Sequence, residues 1–81
     1  GRRPRGDQEI HERDQLIAEQ LIKGTPREQI CELLDQHRFP VTLNMEENGI
    51  PTWKAAWDDS DFRKDVQSIF SKAQRRFTAS G

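Results

Sequence analysis

The sequence is poor in cysteine, histidine and tyrosine, side chains that serve as nucleophiles or as acids and bases. There is one cysteine, Cys31, there are two histidines, His11 and His37, and there is no tyrosine. A reactive thiol needs a basic neighbour that favours the thiolate. Cys31 stands among apolar residues in a helical pattern, with Arg27 the one base three or four positions away. It reads as a small core residue. Zinc needs clustered cysteine and histidine, and these three are dispersed. No glycine-rich phosphate loop, G-x-S-x-G or H-E-x-x-H is present. The pairs Glu46-Glu47 and Asp58-Asp59 can attract a cation, but adjacent residues on a helix point apart and helix starts collect acids for electrostatic reasons. The expectation is a non-enzymatic protein with no catalytic residue, cofactor or metal.

What remains is binding, and charge layout bears on it. The 81 residues carry a net charge of −1, which hides segregation. Residues 1–6 sum to +3, residues 7–59 to −7 and residues 60–81 to +3. Phosphate contacts need lysine and arginine. The basic ends therefore hold the candidates: Arg2, Arg3 and Arg5 in a flexible arm over 1–6, and Arg63 and Lys64 near the start of the last helix, with Arg75 and Arg76 further along it. Between the ends, Thr52 and Lys54 stand beside the tryptophans Trp53 and Trp57. Exposed tryptophans can stack on bases or anchor a partner. Two of them at i, i+4 in a small chain more often close its core.

The elements that must position these residues are helical. Ile10, Leu16, Ile17, Leu21 and Ile22 share one side of a helix from about Asp7 to Lys23, with Gly24 placed for a left-handed C′ residue. Thr25-Pro26-Arg27-Glu28 reads as a capping box opening a second helix that runs to about His37, with Ile30, Leu33 and Leu34 inward. Pro40 stops it. Over 38–51, Val41, Leu43 and Met45 alternate as in a strand, and Asn48-Gly49 signals a turn. A helical turn begun by Thr42 and ended by Gly49 competes with that reading. The expectation is a long ordered loop, irregular or weakly β. Thr52 caps a short helix over Trp53–Asp58. Asp59 or Ser60 then caps a last helix, in which Phe62, Val66, Ile69, Phe70, Ala73 and Phe77 form the clearest apolar stripe of the chain. The fold class expected is all-α: three main helices plus one short one in a single domain over 7–77, with a frayed tail at 78–81.

Helix, glycine, second helix, connection and short helix follow the order of a helix-turn-helix. The run I-A-E-Q-L-I-K-G-T-P-R-E-Q-I-C-E-L-L, followed by T-W-K-A-A-W-D-D-S-D-F-R, resembles the homeodomain-like helix-turn-helix of phage terminase small subunits over about residues 10–70. That family has a short turn where this chain has residues 38–51. The resemblance implies double-stranded DNA recognition, with Thr52, Lys54 and Ala55 on the reading face, and oligomerisation alongside a nuclease–motor partner.

The rival expectation is a helical protein-interaction or oligomerisation module with no nucleic-acid role. In it, Ile69, Phe70 and Phe77 form an interface for a second copy or another protein. No apolar run approaches the roughly 18 residues of a membrane span. A lone cysteine forms no internal disulfide and nothing argues for secretion, so the expected location is cytoplasmic.

Overall fold

In a computed structural model the backbone is described for residues 5–78 and the side chains for residues 9–77. All regular structure there is helical: α1 (Arg5–Lys23), α2 (Arg27–Gln36), α3 (Leu43–Glu47), α4 (Trp53–Asp58) and α5 (Ser60–Thr78). α1 begins inside the stretch expected as an arm. Residues 1–4, with Arg2 and Arg3, and residues 79–81 lie outside the described residues.

α1 and α5 make the most extensive contact, and α4 packs against both α2 and α5. The start of α1 lies beside the end of α5. His11 meets Phe77 edge-on with ring centroids 5.2 Å apart, and Asp14 pairs with Arg76 at 3.1 Å. The core contains Ile17, Ile30, Leu34, Met45, Trp53, Val66 and Phe70. Burial of a large apolar side chain contributes roughly 1.5–3 kcal/mol, so these few residues dominate the stability of so short a chain.

The corner between α1 and α2 closes as its sequence suggests, but with different chemistry. Gly24 has φ +85°. The amides of Gly24 and Thr25 donate to the Leu21 and Gln20 carbonyls, the paired pattern that ends a helix on a left-handed residue. The expected capping box does not form. The residue preceding α2 is Pro26, with no side-chain cap. Thr25 Oγ1 instead donates to Gln20 Oε1 at 2.8 Å. The Gln20 carboxamide lies one turn back on α1 and intercepts the hydroxyl, so Thr25 secures the end of one helix rather than the start of the next.

Within 38–51 the helical turn prevails over the strand reading. Thr42 Oγ1 accepts from the Met45 amide at 3.3 Å, and Gly49 ends α3 with φ +80°. Met45, the one buried residue of α3, anchors it in the core. Alternation of Val41, Leu43 and Met45 therefore does not mark a strand: Leu43 is 69% exposed. The end of α2 repeats the same closure without glycine. Arg38 takes φ 62°, and the Arg38 and Phe39 amides donate to Asp35 and Leu34. α4 has the expected bounds, with Thr52 Oγ1 accepting from the Ala55 amide at 3.0 Å. Asp59 Oδ1 caps α5 through the Asp61 amide at 2.8 Å.

Candidate nucleic-acid interface

α4 is the helix expected to read DNA, and its polar groups are turned to internal work. The Asp35 carboxylate, at the end of α2, accepts from the Trp53 amide at 2.9 Å and from the Lys54 amide at 3.1 Å. The Thr52 hydroxyl takes the Ala55 amide. The first amides of α4, which would otherwise meet a phosphate, are thus already satisfied. Lys54 pairs with Asp58 one turn on, at 3.2 Å. That hydrogen bond raises the lysine pKa above its usual value, with Glu28 and Glu32 of α2 adding negative potential around it.

The tryptophans divide. Trp53 is fully buried. Its indole Nε1 donates to the Phe39 carbonyl at 3.0 Å, and the Arg13 guanidinium lies 5.5 Å from the ring centroid. It is core and cannot stack on a base. Trp57 is half-buried at the end of α4, with the Arg63 guanidinium 5.3 Å from its ring centroid. Arg63 Nε also donates to the Trp57 carbonyl at 2.7 Å.

Of the sequence-derived DNA residues, Thr52, Lys54 and Arg63 are therefore committed to helix caps, an ion pair and a helix end. Lys64 is exposed and in no ion pair among the described residues. Arg5 opens α1, with its side chain outside the description.

One residue of the expected interface, Phe70, is corrected. Phe70 is 1% exposed and belongs to the core, while Ile69 is half-buried against it. Phe77 is half-buried and meets His11. The stripe on α5 is spent on α1 and α4, because the short helices leave α5 to close most of the core. The exposed large apolar residues are Ile10, Ile22 and Leu43. Ile10 and Leu43 flank a groove of about 260 Å³ with Pro40 and Val41. Ile10 and Ile22 were expected inward. Ile22 lies at the end of α1, well round the helix from Ile17.

Sequence reasoning passed over one cation of α5, Lys72, and named Arg75 only as part of the basic end. Both are exposed and in no ion pair among the described residues. The signal was their position on α5 opposite the apolar stripe. Asp14, also passed over, is 5% exposed. Its Oδ1 accepts from Arg13 Nη2 at 3.0 Å and its Oδ2 from Arg76 Nη1 at 3.1 Å.

Among the described residues no group of three or more potential ligands could hold a metal. No described helix is long and apolar enough to cross a membrane. Cys31 is buried, and burial, with Asp35 nearby, pushes its thiol pKa up to about 12. The folded thiol is expected to stay silent towards a thiol-specific reagent at pH 8 and to react once denaturant unfolds the chain; equal rates in both states would contradict its burial. The folded value lies above the unfolded one, near 9.0, so the contribution is complete below about pH 9 and fades as pH rises toward 12. Its slope there is up to about 1.4 kcal/mol per pH unit, and Cys31→Ala should remove it from a series of denaturation midpoints.

The chain matches no family model, and it has no match among curated proteins or among solved structures.

Proposed function

We propose that this chain is a non-enzymatic domain that binds double-stranded DNA, of the helix-turn-helix type that its sequence resembles in phage terminase small subunits. The observation that carries the reading is where the basic segments come together. Lys72, Arg75 and Arg76 occupy the last turns of α5, beside the N-terminal half of α1, and α1 itself starts at Arg5. The backbone of Arg5 and the cations at the end of α5 thus belong to the same end of the α1–α5 pair, while the acids Glu28, Glu32 and Asp58 gather round Lys54. DNA contact on this reading belongs to the α1–α5 side and not to α4.

Anisotropy of a labelled duplex, titrated with the protein over a salt series, tests it. Three or so phosphate contacts imply a slope of log K against log salt of about −3, or roughly a 50-fold loss between about 50 and 200 mM. No binding at low salt, or binding indifferent to salt, overturns the proposal.

One observation favours a second reading, contact with another copy of the chain: Ile10 is 42% and Leu43 69% exposed beside an apolar groove. Sedimentation across a concentration series reads this directly, and a monomer throughout removes self-association.

A further inference from the structure

α5 buries one face and shows a different one to solvent. Val66, Phe70 and Ala73 are buried. At 100° per residue, Lys64, Ser68, Ser71, Lys72 and Arg75 fall within about one-third of the helix circumference, on the side opposite that row. All five are exposed. Between Lys64 and Arg75 the one acid is Asp65, which is half-buried and accepts from Asn44 Nδ2 at 3.1 Å. None of the three cations is in an ion pair among the described residues, in contrast to Lys54 with Asp58, Arg13 with Asp14 and Arg76 with Asp14. The row from Lys64 to Arg75 is about 16 Å long at a helical rise of 1.5 Å per residue.

We infer that this solvent face of α5 is a rail for the sugar–phosphate backbone of duplex DNA, and that it, rather than α4, makes the principal contact. The inference rests on the DNA-binding reading above and names its site. Duplex DNA carries one negative charge per about 1.7 Å of axis, so a row of this length meets several phosphates. Lys64, Lys72 and Arg75 neutralise them, and the Ser68 and Ser71 hydroxyls between the cations donate to phosphate oxygens. Such contacts fix position and supply affinity without reading sequence. The occupant follows from the charge: an acid-poor cationic row with interleaved hydroxyl donors is complementary to a polyanion with regularly spaced acceptors. The binding it predicts is largely indifferent to base sequence.

The test compares three proteins on two unrelated duplexes of equal length. Unmutated protein should bind both within about threefold of each other. The triple variant Lys64→Gln, Lys72→Gln, Arg75→Gln should lose affinity about a hundredfold and flatten the salt slope by about three units. Its far-UV circular dichroism should be unchanged, since all three side chains are exposed and unpaired. Thr52→Ala with Lys54→Gln, altering the outer face of α4, should bind within about threefold of the unmutated protein. If the α4 variant loses binding while the α5 variant keeps it, the rail is overturned and DNA binding stands. A strong preference between the duplexes, lost in the α4 variant, also overturns the rail. If the unmutated protein binds neither duplex, the DNA-binding reading falls and the rail falls with it.

Discussion

Trp53→Ala is expected to remove a large share of the domain's stability. Trp53 is the largest fully buried side chain, and truncating a buried aromatic to alanine costs about 3–5 kcal/mol. A chain of 81 residues holds roughly 4–12 kcal/mol in total. The loss reaches beyond packing. Trp53 Nε1 satisfies the Phe39 carbonyl, just after the left-handed Arg38 that ends α2. Its ring lies under Arg13 of α1. Removing the indole thus loosens the joint where α1, the end of α2 and α4 meet. Trp53→Phe keeps much of the apolar volume but leaves the Phe39 carbonyl without its partner, a smaller cost of about 1–3 kcal/mol. Denaturant midpoints followed by circular dichroism should rank the unmutated protein, Trp53→Phe and Trp53→Ala in that order. A midpoint for Trp53→Ala equal to that of the unmutated protein would show that Trp53 does not hold the core.

Asp14→Ala is the second large effect, for an electrostatic reason. Asp14 is the buried charge of the described residues, with its side chain 8% exposed, and Arg13 beside it is 14% exposed. Removing the carboxylate leaves a largely desolvated guanidinium without its counter-charge, which costs about 3–5 kcal/mol. The other partner is different. The Arg76 side chain is 54% exposed, so Arg76→Ala leaves Asp14 its bonds to Arg13 and should cost less than about 1 kcal/mol. The contrast in denaturation midpoints between Asp14→Ala and Arg76→Ala is the observable. Equal small losses would mean that solvent reaches the pair freely. An Asp14→Ala protein that still folds also frees the exposed Arg76 at the end of α5, so its DNA affinity should rise rather than fall.

How far the sequence could be read depended on the range of each interaction. α4 and the apolar stripe of α5 were legible because spacing and caps are local: Thr52 and Asp59 bond to amides two or three residues on. Thr25 misled because a side chain five residues back, Gln20, competes for its hydroxyl. Over 38–51 a period of two and a cap-to-glycine helical turn were both written into the same residues, and burial of Met45 decided between them. Asp14 and Arg76 stand 62 positions apart, and nothing local announces such a pair.

The candidate site shows the same division. That Lys54 would be neutralised by Asp58 follows from their i, i+4 spacing. The commitment of Asp35 to the first amides of α4 does not, since it requires knowing how α2 and α4 pack. Phe70 was legible as part of the stripe but not as core rather than interface, because that depends on how much of α5 the shorter helices cover. Lys72 and Arg75 were visible on the polar face of α5. That neither is in an ion pair among the described residues depends on where the acids of the other helices lie.

The central claim is that duplex DNA lies along the solvent face of α5. The most direct measurement is a nuclear magnetic resonance titration of isotope-labelled protein with a short duplex, following backbone amide shifts. The shifts are predicted to concentrate at Lys64, Ser68, Ser71, Lys72 and Arg75, with Thr52 to Asp58 little changed. Shifts concentrated in α4, with α5 unmoved, would contradict it.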